Sequence, residues 1–101
     1  MAGIGFFHNN NRALLKNAAK INKLDNQYKK NKKILLETES PEEFEHLQEA
    51  CRQICNDMRK LSEEINLFIG IDASEKMMQE LDEIETVWNS AMQDHGAESG
   101  A

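Results

Sequence analysis

Cys51 and Cys55 are the side chains best equipped for chemistry, since thiols ligate soft metals, pair as disulfides and serve as nucleophiles. A spacing of four puts both on one side of a helix, where their side chains align poorly for a disulfide. The other soft ligands, His8, His46 and His95, stand at no recognised metal-ligand spacing. The reading is packing rather than a metal site. Two thiols with no secretory segment also fit a reducing, cytoplasmic setting. Carboxylates are plentiful, among them Glu63, Glu64, Glu80, Asp82, Glu83 and Glu85. A general acid–base pair needs a pocket that perturbs its pKa, whereas these positions fall outside the apolar repeats and read as a solvated face. There is no nucleophile motif, glycine-rich phosphate loop or metal-hydrolase helix pattern. The chain is therefore expected to be non-enzymatic, with no catalytic residue, metal or cofactor.

Binding chemistry is better represented than catalysis. Lys29, Lys30, Lys32 and Lys33 stand beside Tyr28 in the one patch able to grip phosphates, although four lysines in five residues wrap around a helix and suit electrostatic contact more than base reading. Charge is split along the chain. Residues 1–33 hold eight Lys or Arg against one acid, and the remainder holds four against seventeen, so a net charge of −6 conceals a basic segment and an acidic one. Such a split suits an anionic partner for the basic part or its neutralisation by the acidic part. At the start of the chain Ile4, Phe6 and Phe7 are too apolar for a free tail, because exposing each phenylalanine forfeits burial worth roughly 1.5–3 kcal/mol. They are expected to dock on a protein partner or on another copy.

These residues must be positioned by helices. Phe44, Leu47, Cys51, Ile54, Met58, Leu61, Ile65 and Phe68 step by three and four, a heptad seam for packing against another helix. Ser40-Pro41-Glu42-Glu43 carries a capping box with proline at the first helical position, and Gly70 supplies a left-handed terminator, which predicts a helix over 41–69. Asp72-Ala73-Ser74-Glu75 reads as a second capping box opening a helix over 74–94, in which Met77, Leu81, Ile84, Trp88 and Ala91 form a stripe widened by Met78, Val87 and Met92. A face that wide implies more than one neighbour. Leu14, Ile21, Tyr28 and Leu35 recur every seven residues in a basic helix over 11–36.

With one proline, five glycines and 40% hydrophobic residues in 101, the fold class is all-α. The architecture is an antiparallel αα-hairpin with a basic N-terminal helix, a three-helix bundle or coiled-coil-like assembly. Residues 1–10 read as an N-terminal arm, 11–95 as a single helical domain and 96–101 as a flexible tail. No apolar run approaches the ~20 residues that a membrane span requires. The function expected is a non-catalytic protein–protein interaction or assembly subunit, self-associating or part of a larger complex, with Ile4, Phe6, Phe7, Tyr28, Lys29, Lys30, Lys32 and Lys33 as partner-binding residues. The alternatives are a nucleic-acid-associated subunit using the lysines, or an acidic nucleic-acid mimic, of the kind phages encode, that inhibits a nucleic-acid enzyme.

Overall fold

The computed structural model is all-α: α1 (Ala2–Glu37), α2 (Pro41–Glu64) and α3 (Phe68–Gly100) follow one another with three-residue connections. It describes the backbone of residues 2–100 and the side chains of Arg12 and residues 14–93. Short links make each helix antiparallel to the next, so α1 and α3 run in the same direction on either side of α2. The molecule extends over 77 Å. A 36-residue helix spans roughly 54 Å, so the outer helices are staggered along the long axis. Among the described residues no helix is long and apolar enough to cross a membrane.

Ser40 caps α2 as its sequence requires. Its backbone is extended, its hydroxyl accepts from the Glu43 N–H at 3.3 Å, and Pro41 opens the first turn. The reciprocal half of the capping box is supplied from elsewhere: the Ser40 N–H donates to the Thr38 hydroxyl at 3.3 Å, not to the Glu43 carboxylate.

The other end of α2 departs from expectation. The helix stops at Glu64 rather than 69, and α3 begins at Phe68 rather than 74. Asn66, not Gly70, takes the left-handed conformation, with φ of 54°. Around it the Leu67 N–H donates to the Ser62 carbonyl at 2.8 Å and the Asn66 N–H to the Glu63 carbonyl at 3.2 Å, the Schellman pattern that satisfies the last carbonyls of a helix. Asparagine tolerates this conformation better than most residues because its short polar side chain bonds locally.

Gly70 is instead used for close approach. It sits buried in the first turn of α3, and a Cβ there would meet the Ser62 Cβ at 2.9 Å. Gly70→Ala is expected to destabilise by about 1–3 kcal/mol through overpacking, despite alanine's better helix propensity. Urea denaturation checks this, and a stabilising result would mean that α2 and α3 do not meet so closely. Ser74 lies inside α3, where its hydroxyl donates to the Ile71 carbonyl at 2.7 Å, so the second expected capping box is not a cap.

The outer termini also differ. The helical backbone of α1 includes residues 2–10, which the sequence suggested as an arm, and that of α3 reaches Gly100 through the expected tail. With no proline in either stretch, nothing removes a backbone donor, and the two glycines at 3 and 5 cost only about 1 kcal/mol each. The side chains of Ile4, Phe6 and Phe7 lie outside the described residues.

Because α2 lies between two neighbours it buries two adjoining stripes. Phe44, Cys51, Ile54 and Met58 of the expected seam are buried, and Gln48, Cys55 and Ser62 are buried beside them. Leu47, Leu61 and Ile65 are half-covered, and Phe68, beyond the turn, is exposed. From α1 come Ile21, Tyr28 and Leu35, from α3 Leu81, with Met77, Met78, Ile84 and Trp88 packed around the core. Small residues at Cys51, Cys55, Ser62, Gly70 and Ser74 allow the helices to approach, and the buried Gln48 amide donates to the Leu81 carbonyl at 2.9 Å while its oxygen has no partner among the described residues.

Candidate protein-interaction groove

Between the C-terminal half of α1 and the middle of α3 the bundle is open. A cavity of about 370 Å³ is lined there by Leu36 on one bank, by Ile84, Val87 and Ala91 on the other, and by the Phe44 and Trp88 rings at its floor. Phe44 and Trp88 stack with centroids 4.1 Å apart and planes 6° from parallel. Leu36 is 62% exposed and Val87 69% exposed, although they flank the same apolar trough. The cause lies in helical geometry: Leu35 points into the core, Leu36 is turned by 100° to its side, and Val87 occupies the matching flank of the α3 stripe. This is concave apolar surface with a ready-made floor, suited to an incoming helix.

A polar layer closes the same α1–α3 interface one to two turns away. The Tyr28 hydroxyl donates to Glu80 Oε1 at 2.7 Å and approaches the Met77 carbonyl at 3.2 Å. Lys32 Nζ bridges to the same Glu80 oxygen at 3.1 Å and lies 5.8 Å from the centre of the Tyr28 ring. Burial, reinforced by the hydrogen bond to Glu80, drives the phenol pKa strongly upward. For Glu80, burial opposes ionisation, but the hydrogen bonds from Tyr28 and Lys32 outweigh it and hold the carboxyl below its usual range. On the far side of α3, Arg52 binds Asp82 and Glu85, each at 2.8 Å, and rests on the Met78 sulfur at 3.4 Å. Its guanidinium pKa is raised, first by the bond to Asp82. These pairs are partly solvated and set the register of α2 against α3 more than they stabilise it.

The thiols belong to the core. Cys51 and Cys55 are free and buried, burial raises both pKa values, and that of Cys55 is pushed up to about 11. A raised value keeps a thiol protonated and so unreactive at neutral pH. Among the described residues no group of three or more His, Cys, Asp or Glu is arranged to hold a metal ion.

This buried layer predicts alkaline sensitivity. Folded Tyr28 and Cys55 titrate above their ordinary values of 10.0 and 9.0, so each contributes fully below its ordinary value and loses that contribution as pH climbs from there towards its raised value in the fold. Stability is expected to be flat from neutrality to about pH 9 and to fall between about pH 9 and 11, and Tyr28→Phe should blunt the fall. Denaturant midpoints measured across that range test it; an unchanged midpoint at pH 11 would place both groups in water.

The structure disperses the partner-binding residues that the sequence suggested. Tyr28 is 1% exposed, so its ring is core and not a surface for a ligand: the heptad position that carries it faces α2 and α3. Lys29 is paired with Asp25 at 3.0 Å and Lys32 with Glu80, which leaves Lys30 and Lys33 exposed and without an ion pair among the described residues. The groove itself was only half visible in advance. Val87 and Ala91 belong to the over-wide apolar face of α3, whereas Leu36 falls outside the seven-residue repeat of Leu14, Ile21, Tyr28 and Leu35 and carries no periodic signal. A second exposed apolar pair, Phe68 at 77% and Ile69 at 80%, lies at the α2–α3 corner and came from residues expected inside a longer α2. No protein-family model, curated protein or solved structure matches this chain.

Proposed function

We propose that the protein is a non-catalytic helical interaction subunit, working in the cytoplasm, whose α1–α3 groove docks against the helices of a protein partner. The observation that carries this reading is the groove: a floor of stacked Phe44 and Trp88 between two banks on which two large apolar side chains, Leu36 and Val87, remain mostly in water. Burying those two alone would contribute on the order of 1.5–3 kcal/mol each, enough to make the site a focus of binding energy. A nucleic-acid role for the lysine patch has less support, since Lys29 and Lys32 are already engaged and Tyr28 offers no exposed ring for stacking.

The test is the mass of the assembly that a tagged full-length chain carries when purified from its source cells. Wild type is expected to elute well above the 11.6 kDa of one chain, and the double variant Leu36→Asp/Val87→Asp to lose that assembly while keeping its helical circular dichroism. An assembly that survives the double variant would move the interaction elsewhere on the surface. A wild-type chain that is always alone would end the interaction reading.

A further inference from the structure

Resting on that reading, we propose that the occupant of the groove is a second copy of this chain, docked groove to groove about a two-fold axis parallel to the helices. Three features lead there. First, the banks are level: Tyr28 reaches Met77 and Glu80, and Leu35 and Leu36 share the cavity with Glu83 and Val87, so residue numbers rise together along α1 and α3 and the two helices are parallel at the groove. Second, the banks differ in kind. On the α1 side the exposed Lys33 stands one turn from Leu36, and on the α3 side the exposed Glu83 stands one turn from Val87, and neither charge has an ion pair among the described residues. Third, the charge of the whole chain is divided in the same sense, basic through residue 33 and acidic beyond it.

A two-fold axis along the bundle places α1 of each copy against α3 of the other at the same height. Leu36 of one chain then meets Val87 of the second, and Lys33 meets Glu83, each contact made twice. The apolar trough is closed and both free charges find partners of opposite sign. Turning the second copy end over end sets α1 against α1, with Lys33 among lysines and Glu83 among acids, which like-charge repulsion disfavours. Charge therefore selects both the occupant and its direction. An interface built on one groove is small, so the dimer should form reversibly at tens of micromolar concentration rather than persist on dilution.

The test is sedimentation of the recombinant full-length chain alone at low ionic strength, at about 100 µM, a concentration that populates an interface near the small end of specific ones. Wild type is expected to be dimeric and to dissociate as salt rises, because an exposed charge pair is screened. Lys33→Glu and Glu83→Lys should each weaken the dimer about tenfold, since symmetry turns two attractions into two repulsions. The double reversal should restore it to within about threefold of wild type. All four positions tested here and above are exposed, and helical content serves as the folding control. A chain monomeric at every concentration overturns the proposal, and so does a Lys33→Glu variant that dimerises as well as or better than wild type, the second of these pointing to the end-over-end arrangement. If the isolated chain is monomeric while Leu36→Asp/Val87→Asp still strips the assembly purified from cells, the groove serves a different protein and only the second-copy proposal falls. If neither result appears, both readings fall together.

Discussion

Tyr28→Ala is expected to lower stability by about 3–5 kcal/mol, the cost of emptying an aromatic site in a packed core. The ring is 1% exposed and ties α1 directly to α3 through Glu80 and the Met77 carbonyl, beside the Lys32–Glu80 pair. Loss of that size is a large share of the 5–15 kcal/mol available to a domain of this length. Tyr28→Phe keeps the packing and removes only the hydroxyl, so it should cost about 1 kcal/mol, at the modest end for hydrogen bonds to charged groups because Glu80 is partly solvated. Urea titrations of both variants separate packing from hydrogen bonding. If Tyr28→Ala costs less than about 1 kcal/mol, the ring is not held between the helices in solution.

Leu81→Ala should be nearly as damaging, at about 2–5 kcal/mol, because its side chain is completely enclosed where α3 crosses Cys51 and Gln48 on α2. The spread reflects how far Met77, Met78 and Ile84 can relax into the space. Val87→Ala, two turns away on the open bank, is expected to change stability by no more than about 0.5 kcal/mol. The comparison isolates the docked face of α3 from its exposed flank. Equal effects at the two positions would contradict the docking of α3 through Leu81, and a reduced denaturant slope in Leu81→Ala would indicate a native state loosened at that interface.

The contrast between Leu81 and Val87 also shows where sequence reading reaches its limit. Both belong to one apolar stripe of α3, and periodicity places them on neighbouring flanks, yet only the packing of α3 against α2 and α1 decides that one is enclosed and the other wet. Cys55, Gln48 and Ser62 make the same point on α2. A heptad seam predicts contact with one helix, but α2 is gripped from two sides, and the second stripe includes polar and small residues that no hydrophobic pattern marks.

By itself the sequence determined the all-α class, the order of three helices, the Ser40-Pro41 start of α2 and the core faces of Ile21, Tyr28 and Leu35, because these follow from local capping and helical period. Tertiary structure decided the rest. The α2–α3 corner turns at Asn66 and leaves Gly70 to the close contact with Ser62, a choice between two residues that can each take the left-handed conformation, resolved by which one must pack against a neighbouring helix. Tyr28, which the sequence places both on the apolar repeat and in the lysine patch, is held in the core alone, and Leu36 and Val87 become a pair, for one reason. Local sequence sets which side chains share a helix face, whereas the lateral distance between two helices that are not consecutive in the chain depends on the sizes of all the side chains between them.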